Sequence, residues 1–258
     1  MDGAGAPDAA PAARSRSAPG HFAVVIFHVK RFDPDADARP SWRAYTLDAQ
    51  PKMSVLDGLF WILEHLDGAL GFRYSCRAGM CGSCAMVVNG REALACRLRL
   101  EHTPDAVYVE PLRSLPVIKD LVVDMAPFFT KYRTVDPFYI GEDPSMTGRI
   151  ADPVVVRPDS GVREVVDQQV GCISCGACYS ACPVVALNPG YLGPAALNRA
   201  YVLSADVREP SRGDRLALVS GDDGVYACHD VGSCITACPV GVNPLLSIHL
   251  LRKGASHR

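Results

Sequence analysis

The sequence lacks the features of a membrane span, an export signal or a nucleic-acid binder. No apolar run approaches the roughly 18–20 residues that cross a bilayer. The first 20 residues have no apolar stretch typical of a secretory signal, and Asp2 and Asp8 argue against a transit peptide. The net charge of −2 gives no electrostatic reason to bind nucleic acid or an anionic lipid surface. We therefore expect a soluble chain without a membrane anchor of its own and with no nucleic-acid partner.

Motifs for substrate chemistry are missing as well. The sequence has no G-x-G-x-x-G after a predicted strand, no P-loop and no Ser/His/Asp set in a recognisable context. The acidic–histidine pairs Glu64-His65 and Glu101-His102 fall on a predicted helix surface and a loop, where such side chains are usually solvated. We predict no catalytic residue in this chain.

Cysteine, in contrast, is abundant. The chain has 11 cysteines, an odd number that disulfides cannot pair completely, and nothing indicates export to an oxidising compartment. They fall into three groups with none outside: Cys76, Cys81, Cys84 and Cys96; Cys172, Cys175, Cys178 and Cys182; and Cys228, Cys234 and Cys238. Clustered thiols in such a chain predict metal ligands rather than structural disulfides.

Strand and helix signals divide the chain into two domains of different type. Residues 1–20 are rich in Ala, Pro, Ser and Gly, and they predict a disordered tail. Residues 21–120 predict an α+β unit, with strands at 21–32, 42–47, 85–88, 92–96 and 107–110, a hairpin turn at Asn89-Gly90, and a helix at 55–66 that Ser54 begins. Residues 121–258 predict a helical domain, with helices at 162–169, 194–204, 214–219 and from Asn243 onward. A linker helix is predicted over 117–132.

The first cysteine group has the spacing C-x4-C-x2-C with a fourth cysteine after a hairpin, which is typical of a plant-type [2Fe–2S] site. Gly79 and Gly82 allow the positive φ angles that such a tight loop needs. Cys81-x2-Cys84 alone would also suit zinc, but zinc ribbons typically use two such pairs. The predicted [2Fe–2S] ligands are Cys76, Cys81, Cys84 and Cys96.

The second group is the bacterial ferredoxin run C-x2-C-x2-C-x3-C-P, whose fourth cysteine ligates a neighbouring cluster. A second such run is therefore expected, and counting back from Cys238-Pro239 finds it with Val231 in place of one cysteine. The predicted ligands are Cys172, Cys175, Cys178 and Cys238 for a [4Fe–4S] cluster, and Cys182, Cys228 and Cys234 for a [3Fe–4S] cluster. The alternative for the third site is a [4Fe–4S] cluster whose fourth iron binds water or hydroxide, as in hydrolytic enzymes.

These motifs resemble one known family. The segments FRYSCRAGMCGSC (72–84) and PLRSLPVIKDLVVDM (111–125), together with both ferredoxin runs, are similar to the iron–sulfur subunits of succinate dehydrogenases and fumarate reductases, from about His21 to the C-terminus. The resemblance implies a β-grasp plant-type ferredoxin domain followed by an α-helical bacterial-ferredoxin-like domain. It also implies a flavoprotein partner with FAD, membrane-anchor subunits with or without haem, quinone as electron partner, and a peripheral position on the cytoplasmic face of the cell membrane.

The resemblance further implies candidates for the quinone side of the third cluster. Pro183 and His229 keep the positions that relatives use there, and Val231 stands at the missing ligand. Ubiquinone-reactive relatives often carry a Trp pair where this chain has Ala186 and Leu187. The leading hypothesis is a succinate dehydrogenase subunit. The alternatives are a fumarate reductase subunit running the reverse reaction, a thiol-dependent fumarate reductase whose cysteine-rich domain would be on another chain, and a free-standing multi-cluster ferredoxin-like carrier.

Overall fold

The first half of the protein is built on a mixed five-stranded sheet. The structure, a computed structural model, describes residues 23–140 and 157–255, so the tail predicted at 1–20 lies outside the described residues. The strands are β1 (Ala23–Arg31), β2 (Ser41–Ala49), β3 (Ala85–Val88), β4 (Arg91–Leu94) and β5 (Ala106–Glu110). Their order is β2-β1-β5-β3-β4, with β1 parallel to β5 and the other neighbours antiparallel. The predicted strands are confirmed within the described residues, although β4 ends at Leu94, before Cys96, and His21 and Phe22 of the first predicted strand lie outside the described residues.

One helix packs on this sheet, and its start follows directly from the sequence. Helix α1 (Val55–His65) begins with a capping box, in which the Ser54 side chain accepts a hydrogen bond from the Asp57 N–H at 3.1 Å. The Asp57 carboxylate in turn accepts from the Ser54 N–H at 2.9 Å. Leu59 and Ile62 on α1 are fully buried in the same hydrophobic core as Phe27 of β1. The helix predicted over 55–66 is confirmed.

The linker helix predicted over 117–132 is wrong in its first half. Strand β6 (Val117–Lys119) forms a short antiparallel hairpin with β7 (Val122–Val123), and helix α2 (Ala126–Thr134) begins only after it. Asp120 lies in the hairpin turn with φ of +49°, a left-handed conformation that no helix contains. The apolar spacing of this segment fits a helix, but the chain turns at Asp120.

Tertiary hydrogen bonds hold that turn. The Asp120 carboxylate is buried and accepts from Arg31 Nε at 2.8 Å, from the Phe32 N–H at 3.0 Å and from the Gly71 N–H at 2.8 Å. All three donors lie far away in the sequence, so a local pattern could not reveal them. Asp120 therefore links the hairpin to the end of β1 and to Gly71, which lies shortly before the first group of cysteines.

The second half consists of short helices. They are α3 (Gly161–Gln169), α4 (Ala177–Ser180), α5 (Pro183–Leu187), α6 (Pro194–Ser204), α7 (Arg212–Val219), α8 (Ser233–Thr236) and α9 (Pro244–Ala255). The predicted helices correspond to α3, α6, α7 and α9 and are confirmed. The start of α9 has the predicted form, since the Asn243 side chain accepts from the Leu246 N–H at 3.0 Å and Pro244 occupies the first position. No helix in the described residues is both long and apolar enough to span a membrane.

Specific contacts join the two halves. The Ser180 hydroxyl on α4 accepts from the Arg113 N–H at 2.7 Å and donates to the Glu92 carboxylate of β4 at 2.9 Å. Phe128 on α2 packs edge-to-face against Tyr179, with ring centroids 5.6 Å apart. These contacts bring α4 and the cysteine loop before it against the sheet domain.

We predict that Asp120→Ala strongly destabilises the protein. The substitution leaves the mostly buried Arg31 guanidinium and two backbone N–H groups without this acceptor, which costs about 3–5 kcal/mol and lowers the apparent melting temperature by roughly 10 °C. Thermal unfolding of the cluster-loaded protein measures the effect. Asp159→Ala is the matched control, because the Asp159 side chain is 65% exposed in its ion pair with Arg157, so its loss should leave the melting temperature nearly unchanged. Equal shifts in both variants would contradict the role given to Asp120.

Candidate iron–sulfur cluster sites

The first cysteine loop, residues 72–84, lies between α1 and β3, and several of its backbone N–H groups point at cysteine sulfurs. Gly79 and Gly82 have φ angles of +77° and +74°, as the sequence predicts. Three N–H groups donate to the Cys76 sulfur over 3.3–3.4 Å, and they belong to Ala78, Met80 and Cys81. N–H groups placed in this way can hydrogen-bond a sulfur that ligates a cluster.

The four predicted ligands of this site come together as an outer and an inner pair. Cys76 and Cys81 lie on the loop, where hydrogen bonding, chiefly from Ser83, lowers the pKa of Cys81 to about 6. Cys84 and Cys96 are buried with their sulfurs 3.3 Å apart, and burial raises the pKa of Cys84 to about 12. A bare thiolate is thus disfavoured at Cys84, and iron supplies the positive charge that such a site needs.

The second site is a small cavity in the helical half. All four predicted [4Fe–4S] ligands line it: Cys172, Cys175, Cys178 and Cys238. The first two lie in the loop after α3, the third on α4, and Cys238 follows α8 and accepts a hydrogen bond from the Val242 N–H at 3.2 Å. Burial raises the pKa of Cys175 to about 11 and that of Cys178 well above its ordinary value.

The third site is another small cavity in the helical half, which residues of α8 help to line. The three predicted [3Fe–4S] ligands line it, together with the three quinone-side candidates: Cys182, Cys228 and Cys234, with Pro183, His229 and Val231. Cys182 directly precedes α5, and Cys234 lies on α8, where burial raises the pKa of its thiol to about 12. The fourth cysteine of each run thus lines the cavity of the other run.

The backbones of the two ferredoxin loops repeat each other closely. Ser174 and Gly176 have φ angles of +52° and +82°, and the corresponding Asp230 and Gly232 have +57° and +80°. A short helix, α4 or α8, follows in each case. This repeat gives Val231 the backbone position of Cys175, but the Val231 side chain is 61% exposed and carries no sulfur.

The donor sets suit clusters rather than single ions. In residues 23–140 and 157–255, no three histidine, cysteine or acidic side chains converge on one metal position. A cluster distributes its thiolate ligands over several irons, so thiols spread around the wall of a cavity are the arrangement it needs. The residues present therefore fit iron–sulfur clusters.

The first and second sites share a wall. A Cβ built on Gly82 would lie 2.6 Å from the Cys175 Cβ and 3.3 Å from the Ile173 carbonyl oxygen. The loop of the first site thus touches the loop of the second through a residue without a side chain. The sequence pattern predicts the backbone conformation of Gly82 but does not reveal this contact.

Two other residues at the sites are not indicated by the sequence motifs. Asn198 lines the second cavity, where its side chain donates to the Gln169 carbonyl at 3.1 Å and accepts from the Ser247 hydroxyl at 2.8 Å. Tyr191 lines the third cavity. Neither residue belongs to a cysteine motif, and only packing of the chain brings them to the cavities.

Known proteins provide an independent comparison. A family model described as a 2Fe-2S iron-sulfur cluster binding domain matches residues 26–130, and one described as a 4Fe-4S dicluster domain matches residues 168–242. A fumarate reductase iron-sulfur subunit of Mycobacterium tuberculosis is 41% identical over 85% of this chain and 88% of its own length. A succinate dehydrogenase iron-sulfur subunit of Paracoccus denitrificans is 35% identical over 87% of this chain and 85% of its own.

The fold has a counterpart among solved structures. A chain of the Mycobacterium smegmatis Sdh1 complex in the apo form matches with a TM-score of 0.79 and 24% identity, covering 92% of this chain and 97% of that chain. The predicted α+β fold class, a plant-type ferredoxin domain followed by a helical ferredoxin-type domain, is confirmed. The [2Fe–2S] and [4Fe–4S] cofactors predicted from the sequence are supported by both family models.

We predict that Gly82→Ala increases the distance between the first and second sites. The new methyl group must push the Cys175 loop away, so the magnetic coupling between the reduced clusters weakens and electron transfer between them slows by about tenfold or more. EPR line broadening and rapid-freeze reduction kinetics measure both effects.

Gly90→Ala is the matched control for this test. Gly90 has a similar φ of +78°, but no atom lies within 4 Å of the position that its new methyl group would take, so the variant introduces the same backbone strain without a collision. If the two variants lose coupling equally, backbone strain rather than the Gly82–Cys175 contact is responsible.

Proposed function

The chain belongs to the family of iron–sulfur subunits of succinate dehydrogenases and fumarate reductases, and we propose that it carries single electrons between a flavin and quinone. Oxidation of a dicarboxylate delivers two electrons at once, and one-electron centres in series divide them for delivery to quinone. When bound, the clusters supply this one-electron chemistry. The protein holds them, sets their surroundings and keeps them close enough to exchange electrons.

One observation carries the ligand assignment, namely the division of the cysteines among three separate sites. We propose Cys76, Cys81, Cys84 and Cys96 for the [2Fe–2S] cluster; Cys172, Cys175, Cys178 and Cys238 for the [4Fe–4S] cluster; and Cys182, Cys228 and Cys234 for a [3Fe–4S] cluster. The exposed Val231 at the place of a fourth thiolate supports three irons in the third site. We also propose domains at 21–120 and 121–258, with a tail at 1–20.

The exposed apolar side chains suggest an order for the partners. Tyr74 and Met80 on the first cysteine loop are 51% and 74% exposed, which suits a flavoprotein with FAD covering the [2Fe–2S] site. Leu187 and Tyr226, on the segments that border the third cavity, are 84% and 54% exposed. This surface suits membrane-anchor subunits, with quinone near Pro183, His229 and Val231. The complex would then hold this chain peripherally on the cytoplasmic face of the cell membrane.

We propose succinate oxidation as the physiological direction. Fumarate reduction is the second candidate, because relatives of 35–41% identity carry the name fumarate reductase iron-sulfur subunit. The same series of clusters can conduct electrons either way. A free-standing carrier is not favoured, since relatives that match most of the chain are named as subunits.

EPR of the complex purified without oxygen tests the proposed relay and its electron donor. We expect a [3Fe–4S] signal in the complex as isolated, its loss on adding succinate, and a [2Fe–2S] signal in its place. If dithionite reduces the clusters and succinate does not, the cluster assignment holds, but the proposal that electrons come from a dicarboxylate is refuted. Comparing the rates of succinate-driven quinone reduction and quinol-driven fumarate reduction in one preparation distinguishes the two directions.

We predict that Val231→Cys changes the type of the third cluster. A fourth thiolate at this backbone position supplies the ligand that a cubane lacks, so the oxidised [3Fe–4S] EPR signal falls and iron content rises by one atom per chain. Val207→Cys, at a valine that is 70% exposed and borders none of the three sites, should leave the signal intact. An unchanged signal in Val231→Cys would refute the ligand assignment.

A further inference from the structure

Tyr191 lies at the end of a tightly fastened turn between α5 and α6. The Asn188 side chain accepts from the Gly190 N–H at 2.9 Å and donates to the Asp223 carboxylate at 3.0 Å. The Leu192 N–H donates to the Asp223 carbonyl at 2.9 Å. These hydrogen bonds fix the backbone on both sides of Tyr191, and the fixed backbone directs the tyrosine ring.

The ring of Tyr191 is completely buried at the third cavity, which the cysteines of the third site also line. Its hydroxyl is buried too, and within the described residues no partner meets the geometry of a hydrogen bond with it. Burying a hydroxyl without a partner is unfavourable, so such a group points to an acceptor that becomes available when the site is occupied.

The groups around the hydroxyl indicate which acceptor this is. The Tyr191 hydroxyl carries its proton at ordinary pH, as phenols do. Three sulfurs line the cavity with it, those of Cys182, Cys228 and Cys234, and Cys228 is the one within its reach. A protonated hydroxyl beside a thiolate is a hydrogen-bond donor.

We propose that the Tyr191 hydroxyl donates a hydrogen bond to the Cys228 sulfur when that sulfur ligates the third cluster, and thereby raises the reduction potential of this cluster. Reduction adds negative charge to the iron and its sulfurs, and a donor to a sulfur stabilises the reduced state more than the oxidised one. Tyr191 is a positioning and tuning residue, which receives no electron itself. The inference depends on the third cluster of the proposed function.

Tyr191→Phe in the purified complex tests the inference. The ring and its packing remain, so we expect the [3Fe–4S] EPR signal to persist with its midpoint potential shifted to a more negative value. The midpoints of the other two clusters should stay where they are. Tyr201→Phe is the matched control, because this variant also removes a partly buried tyrosine hydroxyl, in this case from α6. Burial and Arg212 shift the pKa of Tyr201, and no cysteine contributes to that shift.

Pulsed EPR gives a second measurement that packing alone would not change. In the native complex we expect the oxidised [3Fe–4S] cluster to couple to a proton that exchanges in D₂O, and Tyr191→Phe should lose this coupling. A normal signal with an unchanged potential and a retained coupling in Tyr191→Phe would overturn the inference and leave the cluster assignment intact. An equal shift in Tyr201→Phe would also overturn it. Absence of a [3Fe–4S] signal from the native complex would refute the third-cluster assignment and this inference together.

Discussion

Burial of the thiols that we propose as cluster ligands is the constraint on which the rest of this structure depends. Cys84, Cys175, Cys178 and Cys234 all lie where burial raises the pKa of the thiol, so without iron these groups are neutral at ordinary pH. Binding to iron replaces the proton with a stronger positive charge and turns a costly thiolate into a ligand. Because the helices of the second half are short and surround these sulfurs, folding of that half and cluster binding are energetically coupled.

The order of the sites along the molecule follows from two features of the chain. Gly82 lets the first cysteine loop touch the second at Cys175, and the exchange of the fourth cysteines, Cys182 and Cys238, interlocks the second site with the third. The contacts of Ser180 with Glu92 and Arg113 hold the two halves in this arrangement. The result is a continuous series of sites in which each borders the next.

The third site differs from the second in ways that suit the end of such a series. Its loop repeats the backbone of the second site, but the position of Cys175 is taken by Val231, which lines the third cavity without a sulfur and is largely exposed. Exposed apolar side chains border it, and a buried tyrosine hydroxyl adjoins it. One repeated pattern of loop and short helix thus forms two sites that differ in their thiols, because Val231 replaces a cysteine in the second repeat.

The sequence by itself determined the spacing of the cysteines, the capping box at Ser54, the hairpin turn at Asn89-Gly90 and the substitution at Val231, since each depends on residues close together in the chain. These features predict the cluster types and the fold class. The tertiary structure alone decided the β6–β7 hairpin, the Gly82–Cys175 contact and the burial of Tyr191. In these cases the deciding partners are distant in sequence: Arg31 and Gly71 for Asp120, the second cysteine loop for Gly82, and Asp223 for the turn before Tyr191. A local pattern carries no information about such partners, because their proximity arises only when the whole chain has packed.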